Sequence, residues 1–258
     1  MSMNKLFVLC AMMSVLLLSC GKDEGMTERK RPHKAVDLGL SVLWAETNIG
    51  AREEYDFGWY FGWGSVVERQ ASFSWKTYPY AETDEEGKFV KLTKYENYPP
   101  YNLDLSDDSA RMAWGDGWRM PTRAEVEELL TSPKIEVLWV DTYSYSGEEP
   151  PKDEYFHETI SGFHIGNKET GERIFLPCAL AKRDGLGFYK PSNTKYGFYW
   201  TSDISQRNTR LAYTLQIGKD LVWSDLDESY VDRKSIKLDE LLRYYGHTIR
   251  PVKDRPGK

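Results

Sequence analysis

The apolar run from Leu6 to Leu18, opened by Lys5 and closed by Ser19-Cys20, limits what the rest of the chain can become more than any other feature. A lone cation followed by a short apolar stretch has the layout of a secretory leader. The run falls short of the roughly 20 apolar residues that a helix needs to cross a bilayer. It is therefore read as a segment that is removed, and the remainder is expected to fold outside the cytoplasm, in an oxidising compartment.

The end of the run, Leu17-Leu18-Ser19-Cys20-Gly21, resembles the lipobox cut by the lipoprotein signal peptidase, with Leu18 a bulky middle residue for that box. Its chemistry needs a small residue before the cut and a thiol after it, because a diacylglyceryl thioether forms on the cysteine before the peptide bond is cleaved. Residues 1–19 are thus expected to leave as signal peptide. Cys20 becomes the lipidated, palmitate-bearing first residue, with the membrane as the partner of that lipid. Gly21-Lys22-Asp23-Glu24 resembles the Lys-plus-acidic tract that Bacteroidota lipoproteins carry when they are sent to the cell surface. The expected location is the outer membrane, facing outward.

Of the three cysteines, Cys10 leaves with the leader and Cys20 carries lipid, so Cys178 is the only thiol left and no intramolecular disulfide is possible. A body without bridges must be held by its core. The 9 Trp, 17 Tyr and 10 Phe can supply one, since each ring buries much apolar area while Tyr and Trp keep a polar tip. Cys178 lies between Leu176-Pro177 and Ala179-Leu180, a setting that predicts an inert core thiol. The net charge is −6, one unit more negative once Lys5 is gone. That balance argues against a nucleic-acid surface and for a neutral or cationic partner.

Residues 20–34 are polar and lack an apolar period, so they read as a tether. Residues 35–258 read as one domain. Ala35 to Ile49 suggests two short strands broken at Leu38-Gly39-Leu40, and Tyr55 to Gly64 suggests a strand with Phe57, Trp59, Phe61 and Trp63 on one face. Residues 65–105 read as a long irregular excursion holding a short hairpin. Ser106-Asp107-Asp108-Ser109 caps a short helix through Ala113 that stops at Gly115, and Thr122 with Glu125 forms a capping box for a second helix with Val126, Leu129 and Leu130 as its stripe. Further strands are expected at 138–140, 163–165, 174–176, 199–202, 212–217, 221–223 and 247–252. Two short helices, several short strands and long loops indicate an α+β domain.

Six stretches carry a resemblance: AVDLGLSVLWAETNIGA (35–51), YFGWG (60–64), SDDSARMAWGDGWRMPTRAEVEELL (106–130), RIFLP (173–177), GFYWTS (197–202) and HTIRPV (247–252). In this order they resemble the Fibrobacter succinogenes major paralogous domain of Bacteroidota lipoproteins, which is similar to the formylglycine-generating (sulfatase-modifying-factor) fold, a variant of the C-type-lectin-like fold. The resemblance covers about residues 35 to 252. It implies that the first and last strands pair, bringing 42–47 beside 247–252. It also implies that Trp118 and Met120 point inward while Arg119 points outward or to a carboxylate.

Formylglycine-generating enzymes use a cysteine pair, and Cys178 stands alone, so that activity is not expected. The sugar-binding triplets of calcium-dependent lectins are missing from the sequence. Asp104, Asp107 and Asp108, or Asp225, Asp227 and Glu228, offer oxygen ligands close in sequence but without EF-hand spacing, and capping explains the first set equally well. The histidines His33, His157, His164 and His247 lack zinc-ligand spacing, and neither a metal nor another cofactor is expected. Loop aromatics are the better candidates, because Trp and Tyr rings stack on sugar faces without a metal. Trp75, Tyr78, Tyr80, Tyr143 and Tyr145, with Tyr155, fall in expected loops and are read as exposed, whereas Trp59, Trp63, Trp114, Trp118 and Trp200 are read as core. Three functional classes follow: a non-catalytic adhesion module binding a glycan or a protein, an envelope hydrolase using loop carboxylates, and a structural part of a surface assembly.

Overall fold

The computed structural model describes residues 33–67, 72–97, 102–141, 160–183, 187–189, 195–224, 226 and 229–256. Chain order begins with strands β1 (Ala35–Val36), β2 (Val42–Ala45), β3 (Ala81–Thr83) and β4 (Phe89–Leu92), then a 3-10 turn (Leu105–Asp107) and helix α1 (Ser109–Trp114). Strand β5 (Trp118–Arg119) leads into helix α2 (Arg123–Thr131), followed by β6 (Ile135–Val140), β7 (Gly162–Asn167) and β8 (Arg173–Pro177). The chain closes with β9 (Ala181–Arg183), β10 (Gly187–Tyr189), β11 (Lys195–Ile204), β12 (Leu211–Ser224), β13 (Ser229–Leu242) and β14 (Val252–Asp254). The described fold is mostly β, with two short α-helices, which is compatible with the α+β class.

The helices form where their caps dictate. Thr122 Oγ1 accepts the Glu125 N–H at 3.2 Å and the Glu125 carboxylate accepts the Thr122 N–H at 2.7 Å, closing the expected capping box. Val126 and Leu129 are buried, and Ser132 ends the helix just before Pro133. For α1 the cap is Asp108, whose carboxylate takes the N–H groups of Ala110, Arg111 and, across the turn, Met120. Gly115, at φ 89°, stops it in a conformation that favours glycine.

Chain closure follows from the last strand. β14 lies between β2 and β5, both antiparallel, with Val252 opposite Trp44 on one side and Arg119 on the other. Pairing of the two ends of the domain therefore occurs, in a register centred on 42–44 and 252–254. Trp118 and Met120 point inward. Arg119 reaches carboxylates, forking Glu125 at 2.9 and 2.6 Å and meeting Asp254 at 2.7 Å.

The sheet β11-β12-β13 divides the core. Neighbouring residues of β11 take opposite sides: Tyr199 joins one apolar cluster with Trp44, Leu129, Ile165 and Ile217, and Trp200 joins another with Phe61, Trp63, Met120 and Ile249. Period-two side-chain placement thus buries both faces of this strand.

Four expectations are corrected. Tyr55 to Gly64 is not a strand: Trp59 N–H bonds to Ile49, Phe61 exchanges bonds with His247, and Trp63 N–H bonds to Arg243, so its alternate residues serve two different segments, and Gly58 and Gly64 turn the chain at positive φ. The pieces expected at 212–217 and 221–223 are one strand, β12, and its 14-residue partner β13 was not anticipated. From 247 to 251 there are only single bridges, Phe61 with His247 and Tyr199 with Thr248, before β14 begins at Val252. Packing starts before the expected tether ends: His33 stacks on Trp114 at 3.7 Å, and Lys34 pairs with Glu46 at 2.6 Å. The ring contact and the ion pair fix those two residues to the body.

Candidate functional site

One of the expected loop aromatics, Trp75, sits on a face made by residues 72–80, the β3–β4 hairpin and the corner 243–245 after β13. The turn at 74–78 is locked locally. Ser74 O accepts the N–H groups of Thr77 and Tyr78, at 3.2 and 3.0 Å, and Thr77 Oγ1 accepts the Ser74 N–H at 3.1 Å. Phe73 and Tyr78, on either side, are buried anchors. The Phe73 ring lies over Gly246, where a Cβ would come within 2.6 Å of it, and the Tyr78 ring lies against Gly62. With both flanks pinned, Trp75 is left half-buried at the surface.

Around Trp75 the rings are close. Phe89 stands 4.6 Å away and Tyr244 4.8 Å, centroid to centroid, and Tyr78 presents an edge at 5.8 Å. The exposed guanidinium of Arg210 lies over Phe89 at 4.4 Å and over Trp75 at 5.4 Å. Such cation–ring contacts hold an arginine in place while leaving its N–H edge free to donate.

Behind this face lies Arg243, fully buried. Its Nε donates to Tyr78 Oη at 2.9 Å, Nη1 to the carbonyls of Thr209 and Tyr95 at 2.9 and 3.3 Å, and Nη2 to the carbonyl of Lys94 at 3.2 Å. Trp63 covers its plane at 4.7 Å. One guanidinium therefore fastens the Trp75 loop, the segment after β4 and the turn before β12 to the end of β13.

Below the anchors, Lys94 meets Asp107 at 2.5 Å and Asp104 at 2.9 Å, and Tyr95 donates to Asp107. Burial opposes the charge of Asp107, but hydrogen bonds from Lys94 and Tyr95 hold its carboxyl below the usual carboxylate range. Two carboxyls are raised, in both cases by burial: Asp108, against the N–H groups it accepts, and Asp203, against the N–H of Arg123. Both are occupied at helix starts. Among the described residues, no three His, Cys, Asp or Glu side chains gather as ligands for a metal.

The five proposed ligand-contacting aromatics fare differently. Trp75 is at the surface. Tyr78 is buried, its phenol donating to Trp63 O at 2.7 Å and pushed far up by burial, so the expected exposure is corrected: Arg243 and Trp63 O need that hydroxyl inside. Tyr80 is half-buried and faces inward to Gly64 O at 3.1 Å, which makes it part of the support. Tyr143 and Tyr145 lie outside the described residues, as do Tyr155, His157, the acidic set Asp225, Asp227 and Glu228, and Cys20, the residue expected to carry lipid. Of the expected core tryptophans, Trp63, Trp118 and Trp200 are buried, while Trp59 and Trp114 are half-buried. Cys178 is buried, with its thiol pushed up by desolvation.

Sequence reasoning missed Phe89, Arg210, Arg243 and Tyr244. The doublet Tyr244-Tyr245 behind an arginine was the available signal, but nothing local ties it to Trp75, far away in sequence. Among the described residues no helix is long and apolar enough to cross a membrane. Comparison with known proteins gives no match to a family model, to a curated protein or to a solved structure.

Proposed function

We propose that this chain is a lipid-anchored protein of the bacterial cell surface whose body, residues 35–258, is a non-catalytic module that holds a glycan against the Trp75 face. The finer fold reading belongs to the same proposal: a C-type-lectin-like domain of the sulfatase-modifying-factor type, related to the Fibrobacter succinogenes major paralogous domain. The six motif stretches support it, and so does the pairing of β14 with β2. The anchor reading rests on the leader and Cys20.

The observation that carries the binding reading is the placement of Trp75. An indole is held half-out by two buried neighbours, beside Phe89 and Tyr244, on a loop that Arg243 clamps from behind. A rigid ring at the surface binds without the ordering cost of a mobile loop. An apolar ring face with hydrogen-bonding groups at its edge also matches a sugar, whose C–H faces are apolar and whose rim is polar.

The test is a glycan array probed with the full chain in detergent, beside Trp75→Ala. Binding by the unaltered chain should fall about 30-fold in the variant, as expected for loss of a hot-spot ring worth about 2 kcal/mol, with the thermal midpoint little changed. Equal binding by the two proteins, or none above a heat-denatured control, refutes the proposal. For the anchor, mass spectrometry of membrane-extracted protein should find diacylglycerol on Cys20 and none after Cys20→Ala.

A further inference from the structure

Arg210, like the exposed Lys76 next to Trp75 in the chain, is a cation of the Trp75 face. Its backbone is fixed on both sides, the N–H donating to Asn208 Oδ1 at 3.0 Å and the carbonyl accepting the Arg243 N–H at 3.0 Å. Its side chain is held by rings alone, Phe89 at 4.4 Å and Trp75 at 5.4 Å, and among the described residues it meets no carboxylate. Nearby cations on the hairpin differ: Lys88 pairs with Glu86 at 2.5 Å and Lys91 with Glu82 at 3.2 Å. What distinguishes Arg210 is its seat: an exposed guanidinium laid over two rings of the aromatic face, with no acid partner among the described residues.

We infer that the Trp75 face takes an acidic glycan, a sugar chain bearing ring carboxylates of the uronic or sialic acid class, with a sugar ring against Trp75 and its carboxylate on Arg210. This rests on the glycan-binding reading above and narrows it. The match is geometric. A guanidinium stacked on rings keeps its planar N–H edge for a planar acceptor, and a carboxylate fills it with two parallel bonds. The ring beside it accepts the apolar face of the same sugar. The chain's negative net charge predicts a neutral or cationic partner, but at contact range the cations of this face decide, because exposed charges farther off than about 10 Å are screened by salt. A nucleic acid or a highly sulfated polymer would meet the whole acidic surface, whereas a ligand with one carboxylate per sugar meets mainly Arg210.

The experiment uses the full chain in detergent on immobilised galacturonan, alginate, hyaluronan and sialylated oligosaccharides, each beside its carboxyl-methyl ester, with a glutamate-rich peptide as a further arm. At least one acidic glycan should bind about tenfold more tightly than its ester, as expected for one charge-assisted hydrogen-bonded pair. Arg210→Gln should bring the acid form down to the level of the ester, and Arg210→Lys should restore part of the difference. Acid and ester binding equally well overturns this inference and leaves the glycan-binding reading intact. Preference for the acidic peptide over every sugar overturns it as well. Failure of every acid and ester to bind overturns this inference, while the glycan-binding reading stands or falls with the array.

Discussion

His247 offers a measurable link between the core and pH. Its ring is fully buried, stacked on Trp200 at 3.9 Å and on Phe198 at 5.2 Å. The Thr214 hydroxyl donates to Tyr199 O at 3.0 Å, so at its 3.1 Å contact with Nδ1 it accepts, and the imidazole carries its proton on Nδ1. Nε2 is buried and meets no hydrogen-bond partner. Charging the ring would place a second proton on Nε2 among aromatic rings, and desolvation holds the pKa of His247 well below its ordinary 6.5. The unfolded chain takes up that proton near pH 6.5. Below that pH the unfolded state binds more protons than the folded one, so stability is intact above pH 6.5 and falls as pH drops toward the folded pKa. From pH 7 to pH 5 the loss is at most about 2 kcal/mol for this one group, the limit reached when the folded ring stays neutral throughout that range.

Replacing the ring with an isosteric apolar one isolates the effect. In His247→Phe the stability gap between wild type and variant should shift by up to about 2 kcal/mol from pH 7 to pH 5 in favour of the variant, read as up to about 0.8 M in the urea midpoint. His164, whose pKa burial also lowers, is present in both proteins and cancels in the difference. A gap that stays constant across this range would refute the assignment of a neutral, uncharged-only site to His247.

Three further outcomes follow from particular contacts. Thr122→Ala removes the acceptor for the Glu125 N–H and should cost about 1 kcal/mol in chemical denaturation, whereas Thr122→Ser should keep most of it. Arg250 donates to Asn48 Oδ1, Ala45 O, Glu46 O and Phe175 O at 2.6 to 3.2 Å, so Arg250→Met leaves four acceptors without their donor and should cost more than about 3 kcal/mol, measured by urea titration. Cys178 should resist alkylation in the folded protein and react at once in urea, as mass spectrometry of the modified peptide would show; burial puts its thiolate out of reach at neutral pH.

The sequence was legible where short-range rules act. The capping box, the Asp108 cap and the Gly115 stop each involve residues a few positions apart, and α1 and α2 lie where those rules put them. β13 was missed for a physical reason. Asp232, Arg233, Lys234, Lys237, Asp239 and Glu240 crowd it with charge, yet it is an edge strand of its sheet, and its charge interrupts the apolar run that signals a strand. Ile236 and Leu238 pack against one core cluster and Leu241 against the other, at the spacings that two buried faces require. The Tyr55 to Gly64 segment failed in the opposite sense. Its aromatic period of two is real, but its partners lie in two separate stretches, around Ile49 and from Arg243 to His247, and strand patterning carries no information about who pairs with whom. For the candidate site, sequence supplied Trp75 and the idea of a ring surface; Phe89, Arg210 and Tyr244 come to it only through the fold.

The two fully buried arginines explain how a body with a single cysteine, Cys178, holds such a face in place. A disulfide stabilises by joining distant segments, and with Cys178 as the single described thiol that route is closed to this body. Arg243 joins the Trp75 loop, the residues after β4 and the turn before β12; Arg250 joins residues 45–48 to the end of β8. Each guanidinium has five donors in a fixed fork and so can hold several carbonyls at once, which a lysine cannot. For Arg250 desolvation brings the pKa down to about 10, so it still carries its charge at neutral pH, and its bonds to carbonyls are charge-assisted. Both residues lie in the stretch from 243 to 250, which follows in sequence every loop that they gather. The loops they gather are therefore expected to lock only when that stretch docks, so the Trp75 face exists as a binding surface only in the fully assembled domain.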